Sequence, residues 1–298
     1  MGFHKGMSGL AVCMFFFVSG LLIAKSCATQ PWRRFWAARI LRIYPALWVN
    51  LIFCVLVGAM VSTLGASEFL LHPDIRKFML YDGTLLHAYF VLPNVFTHLP
   101  WNGINGSLWT LSEELRMYIA CFAIGLVGIL RNKLLFNMLC LAISLCYLAL
   151  GELPNIYGAT KIHLLLYFML GMACYVNAAH IRLQWVMLAG LMLALIPIYI
   201  WLPRTCYDLG FAVALGYFVL LLAYKKHVNR LDFSNVGDFS YGVYLYGYPI
   251  QQLIIWWHDC VINPLWLFAL TMAAIAPIAG ASWFAVERPA LRLLKKVK

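Results

Sequence analysis

Arg33-Arg34-Phe35-Trp36-Ala37-Ala38-Arg39-Ile40-Leu41-Arg42-Ile43-Tyr44-Pro45-Ala46-Leu47-Trp48 decides the class of this protein, because a cluster of cations runs straight into a long apolar segment. That juxtaposition marks the edge of a membrane span. Arg39 and Arg42 are three apart, so on a helix they project from one face as paired planar donors, a geometry suited to two phosphate oxygens of one ligand. The same arginines also read as ordinary flank charges that fix orientation in the bilayer.

Working outward, the whole chain agrees with its centre. Of 298 residues 64% are hydrophobic and only 11% charged, whereas a soluble domain carries about 25% charged residues. This excludes a soluble globule and implies an all-α, polytopic membrane protein. The net charge of +11 resides mostly in short clusters beside apolar runs, where cations set topology and touch anionic lipid. Membrane lipid is therefore an expected partner and nucleic acid is not. Most of the nine cysteines, including Cys13, Cys54, Cys121, Cys140, Cys146 and Cys174, lie inside apolar segments, where thiols behave as small hydrophobes. No CxxC pair is present, so neither a disulfide framework nor a metal site is expected.

The first apolar run covers roughly 7–24 and the second 45–64, the latter opening on Pro45 where a first-turn proline is tolerated. A basic loop is expected between them. Residues 65–107 mix aromatic and apolar residues with charges, which predicts an interfacial segment with short helices. Further crossings are expected near 108–130, 133–151, 161–178, 184–202, 205–224, 239–257 and 263–286, about nine transmembrane helices in a single domain over 1–298. If the loop with Arg33, Arg34, Arg39 and Arg42 is cytoplasmic, about 16 of the 22 lysines and arginines fall on that side. The positive-inside rule then places the C-terminus in the cytoplasm and the N-terminus of this chain outside.

A second chemical signal is Asn105-Gly-Ser107-Leu-Trp109-Thr-Leu-Ser-Glu113-Glu114-Leu-Arg116-Met-Tyr118, which opens the third span with turn residues and then three ionisable groups. Charges at such a place default to a functional reading. Glu114 and Tyr118 share a face at i,i+4, while Glu113 and Arg116 can pair at i,i+3. Desolvation would fit Glu114 to accept or hold a proton; a carboxylate that merely ties two helices together is the alternative. Farther on, Tyr241, Tyr244, Tyr246 and Tyr248 form an aromatic stripe with Gly242 and Gly247, which reads first as packing and interface anchoring. Pro249 is expected to kink that span, and Glu287 to pair with a basic residue near the end of the last one.

Five motifs occur in one order along the chain: Phe15-Phe-Phe-Val-Ser-Gly20, Arg39-Ile-Leu-Arg42-Ile-Tyr-Pro45, Asn105-Gly-Ser-Leu-Trp-Thr-Leu-Ser-Glu-Glu114, Gly237-Asp-Phe-Ser-Tyr-Gly-Val-Tyr244 and Val286-Glu-Arg-Pro289. In this the sequence resembles the acyltransferase-3 family of integral-membrane acyltransferases. The resemblance implies transfer of an acyl group, usually acetyl from acetyl-CoA, to a hydroxyl of an exported or surface carbohydrate such as a polysaccharide or lipopolysaccharide, in the inner membrane. Acyl-CoA would be a co-substrate, with no bound cofactor. It also implies that Arg39 and Arg42 bind the donor. Residues 105–118 would then help shape the acceptor side, with Asn105, Ser107, Trp109, Tyr118, Tyr241 and Tyr244 in acceptor-side or structural roles and Glu114 in support.

The family's first helix carries a basic residue and, about eleven positions later, the histidine proposed as catalytic. This chain starts at what resembles the family's second span, so the resemblance implies ten helices in the complete fold, the histidine upstream of Met1, and no such base in this chain alone. His4 lies in the linker before a span and does not take that role. A polytopic transporter or a non-catalytic membrane partner are the alternative classes, though no internal repeat of the transporter kind is visible.

Overall fold

The computed structural model describes residues 6–150, 157–224 and 237–297. His4 lies outside the described residues, as do Lys5, Lys225, Lys226, Arg230 and Lys298 among the lysines and arginines counted for orientation. Among those described there is no strand, only an isolated bridge between Val91 and Gly103, and the architecture is all-helical. The helices are α1 (Met7–Thr29), α2 (Trp32–Val61), α3 (Ala66–Leu71), α4 (Pro73–Thr84), α5 (Leu108–Leu126) and α6 (Lys133–Leu150). They continue with α7 (Tyr157–Val176), α8 (Trp185–Trp201), α9 (Arg204–Tyr224), α10 (Ser240–Trp257), α11 (Pro264–Ser282) and α12 (Arg288–Leu293).

Each stretch expected to cross the membrane is helical. Four segments are long and apolar enough to cross a bilayer by length and composition: Met7–Thr29, Trp32–Val61, Arg204–Tyr224 and Pro264–Lys296, while α6, α7 and α8 contribute shorter apolar helices. α5 carries Glu113, Glu114 and Arg116, and its charges keep it from meeting the same standard.

The expected basic loop between the first two spans is not a loop. α1 ends at Thr29, α2 begins at Trp32, and the cationic stretch is the first part of a 30-residue helix. At 1.5 Å per residue that helix is about 45 Å long, enough to cover the headgroup layer as well as the hydrocarbon core. Pro45 consequently sits in the interior of α2 instead of in its first turn. The helix continues through Pro45 despite the one missing backbone donor.

The helices group into two compact units, Met1–Pro31 with Arg116–Asp232 and Trp32–Leu115 with Phe233–Lys298. In the first, α1 lies against α7 at very short range. A Cβ on Gly20 would stand 2.0 Å from the carbonyl oxygen of Phe168, and one on Gly171 would stand 2.0 Å from that of Phe17. Such contacts exist only because neither residue has a side chain, which is the close-packing logic of membrane helices. Gly216 of α9 admits the ring of Phe17 in the same manner. Around this crossing Cys13, Phe16, Phe17, Phe168 and Met172 are buried.

In the second unit α10 packs on α11 and α2, and α12 returns to α2. The segment after α2 is ordered, as its mixed composition predicts: α3 and α4 pack on α2, and Leu92, Val95 and Phe96 are buried. Asp82 closes this subregion. Its buried carboxylate accepts the backbone N–H of Tyr89 at 3.2 and 3.1 Å, and Phe90 then accepts Ile104 N–H at 2.7 Å. Burial pushes the Asp82 carboxyl up to about 8.

Candidate functional site

Two polar groupings in the second unit contain most of the residues singled out in the sequence. The first begins with a proline. Pro249, inside α10, has no N–H, so the carbonyl four residues earlier, that of Leu245, loses its helical donor. Within a membrane such a group needs a replacement. Asn50 Nδ2 of α2 donates to Leu245 O at 3.0 Å, and Asn105 Nδ2 donates to the same oxygen at 3.0 Å and to Asn50 Oδ1 at 3.0 Å. Both asparagines are fully buried.

Asn105 does a second job with its other atom. Oδ1 accepts Ser107 N–H at 3.2 Å and Ser107 Oγ–H at 2.6 Å, which shapes the turn into α5. Tyr244 of α10 donates its hydroxyl to Ser107 O at 2.6 Å and also meets Thr110 Oγ1. Asn105, Ser107 and Tyr244, read from the sequence as acceptor-side or structural, are thus bonded to one another and to backbone, fixing the start of α5 on α10. Gln252, about two turns farther along α10, donates to Trp101 O at 3.1 Å and Gly103 O at 3.3 Å, fastening the preceding loop to the same helix.

Glu113 and Glu114 are both buried near the start of α5, Trp109 is half-buried and Arg116 is exposed. Tyr118 belongs to the other helical unit, where Ser19 Oγ of α1 donates to its hydroxyl at 3.5 Å.

The second grouping surrounds Arg42. Its guanidinium donates to Asp238 Oδ2 at 2.6 Å and to Glu287 Oε2 at 3.4 Å, and it stands 5.4 Å from the ring centroid of Tyr241. Tyr241 is held in place by its own hydroxyl, which donates to Ile43 O at 2.9 Å. Glu287 ends a π-helical turn, Trp283–Glu287, between α11 and α12, a local widening that often accompanies function. Arg39 is placed differently. It is buried, donates Nη1 to Phe35 O at 2.6 Å, and lies over the Phe35 ring at 3.8 Å. The two arginines share a helix face as spacing predicts, but only Arg42 presents a partly accessible guanidinium. Arg33, Arg34, Arg288, Arg292, Lys295 and Lys296 are exposed on α2 and the C-terminal segment packed against it.

Sequence reasoning located Arg42 and Glu287 but missed Asn50 and the role of Asp238 as an Arg42 partner. The available signal for Asn50 was Pro249 itself, since a proline within a span requires an external donor for Leu245 O. A further cluster, in the first unit, was also missed: buried His163 has Nδ1 3.1 Å from Tyr147 Oη, which donates to Asp208 Oδ2 at 3.4 Å. No group of three or more histidine, cysteine or acidic side chains suited to a metal occurs among the described residues.

Comparison with known proteins places this arrangement. The chain is 26% identical over 294 residues to a protein named O-acetyl transferase from Shigella phage Sf6, covering 96% of this chain and 86% of that protein. It is 24% identical over 327 residues to Nodulation protein 10 of Rhizobium leguminosarum bv. viciae, covering 96% and 83% respectively. No solved structure matches it. The acyltransferase domain model of the acyltransferase-3 family matches residues 1–284, nearly the entire chain, and the protein with these apolar helices and buried polar networks belongs to that family of acyltransferases.

Proposed function

We propose that the protein transfers an acetyl group from acetyl-CoA to a hydroxyl of a carbohydrate at the cell surface or in export, and that the donor's phosphates bind at Arg42. The observation that carries this reading is Arg42 itself: a half-buried guanidinium, held by α10 and the π-helical turn, amid exposed cations of α2 and the C-terminal segment. Exposed cations on two neighbouring segments concentrate a polyanion, and a fixed arginine then orients it. Arg39, packed beneath on the same helix, supports the site. The acceptor side is shaped by the turn at Asn105 to Trp109.

The chemistry required is attack of a sugar oxygen on a thioester carbonyl, with the hydroxyl proton taken by a base and CoA thiolate leaving. Glu114, buried near the start of α5, would support proton movement in this reading. About nine helices cross the inner membrane in this reading, with the Arg42 end and the C-terminus cytoplasmic, where CoA is found, and the N-terminus outside.

The test is transfer. Membranes containing the protein and supplied with acetyl-CoA labelled in its acetyl group should place label in base-labile esters on glycan. Label confined to the nucleotide fraction, with no gain over membranes lacking the protein, would contradict the proposal.

A further inference from the structure

We propose that the two carboxylates on Arg42 act in opposite senses: Glu287 positions the guanidinium, whereas Asp238 occupies the place of a donor phosphate and gives it up when the donor arrives. This rests on the donor-site reading above and adds a gate to it.

The two carboxylates differ in every respect that governs whether they can leave. The Glu287 side chain is 1% exposed, and its second oxygen accepts Ser282 Oγ–H at 3.0 Å. A buried carboxylate tethered in this way cannot swing out without leaving both itself and Arg42 poorly solvated. The Asp238 side chain is 52% exposed. Its Oδ1 accepts Ser240 N–H at 3.3 Å and Ser240 Oγ–H at 2.5 Å at the start of α10, while only Oδ2 contacts Arg42. Releasing Oδ2 therefore keeps the helix start intact and breaks one solvent-facing ion pair, the weakly held kind.

Tyr241 and Glu287 cover two sides of the guanidinium, and Asp238 lies on the accessible one. A phosphate brings more charge and more acceptor oxygens than a carboxylate, so it wins this contest for an arginine. Until it does, Asp238 neutralises Arg42 and disfavours weaker anions. The ligand so selected is a phosphate-bearing donor, here the phosphates of CoA.

The test measures binding of CoA and of pantetheine, which lacks phosphates, to the purified full chain. Asp238→Asn should tighten CoA binding roughly three- to tenfold by removing the competitor. Glu287→Gln should weaken it by a similar factor, and Arg42→Ala should weaken it at least tenfold. Pantetheine binding should not respond to any of the three, as it would to a general packing defect. Ser282→Ala keeps the Glu287 carboxylate but cuts its tether, and provides the same sign of effect if Glu287→Gln does not fold. Weakening by Arg42→Ala together with unchanged or weaker binding by Asp238→Asn overturns the gate and leaves the donor site standing. Unchanged CoA binding by Arg42→Ala overturns the donor reading itself.

Discussion

The two helical units of this protein differ in what fixes their central helix crossings. In the first, α1 and α7 approach through Gly20 and Gly171, whose missing side chains let backbones touch. In the second, helices are joined through buried side-chain donors, with Asn50 and Asn105 both directed at the Leu245 carbonyl. Lipid tails are as apolar as leucine, so burying apolar surface distinguishes few arrangements inside a bilayer. Close packing is one remaining source of specificity and polar satisfaction the other. The contrast also bears on function. Close glycine packing leaves little room for rearrangement, while a unit that holds Arg42 between a buried and an exposed carboxylate has a replaceable contact.

The strongest test of the contrast is to fill the glycine contact. Gly171→Leu or Gly20→Leu should abolish recovery of monodisperse folded protein, because the first added carbon already collides with backbone that cannot rotate away. Gly190→Ala in α8, where nothing lies within 4 Å, should leave the fold intact and raise stability in detergent by up to about 1 kcal/mol. Equal tolerance at all three positions would remove the packing distinction.

A smaller effect is expected in the polar unit. Asn105→Ala should destabilise by about 1–3 kcal/mol, as a buried carbonyl loses one of its donors and the turn into α5 loses its anchor. Pro249→Ala restores an N–H for Leu245 O, so in the Asn105→Ala background it should recover about 1 kcal/mol that it does not give in the parent. The coupling, read as a double-mutant cycle of unfolding midpoints, distinguishes a replaced hydrogen bond from simple loss of volume. Strict additivity would mean that the proline and the asparagines are unrelated.

A pH-dependent effect is expected in the region outside the spans. With its folded carboxyl raised to about 8 against an ordinary value near 4, Asp82 binds its proton more tightly when folded than unfolded. Its contribution therefore lowers stability as pH rises from about 4 through 8 and is level above that range. Asp82→Asn should flatten this part of the stability profile. A profile of the same slope in the variant would assign the dependence to other groups.

Much of the fold was legible because helical periods and apolar runs are local properties. The expected stretches are helices, and residues 65–107 carry the short helices that their mixed composition predicts. The character of the basic segment was misread because clustered charge resembles a loop; arginine is in fact a good helix former, and α2 runs straight through it. The site was legible only in part. Arg42 and Glu287 stood out through their spacing and motif, but Asp238 meets Arg42 across 196 residues of sequence, and no periodicity reports so distant a pairing. Asn50 looked like one polar residue in a span; its purpose appears only once Pro249 has exposed the carbonyl it serves.

In the proposed reading Arg42 receives the phosphates of an acyl-CoA donor. Equilibrium binding of labelled acetyl-CoA to the purified protein, compared with Arg42→Ala and Arg39→Ala, tests it most directly. Saturable binding is expected, falling at least tenfold in Arg42→Ala, with Arg39→Ala lowering the unfolding temperature more than the affinity, since Arg39 is packed on Phe35. Absence of saturable binding by the parent protein, or affinity in Arg42→Ala equal to the parent's, would contradict it.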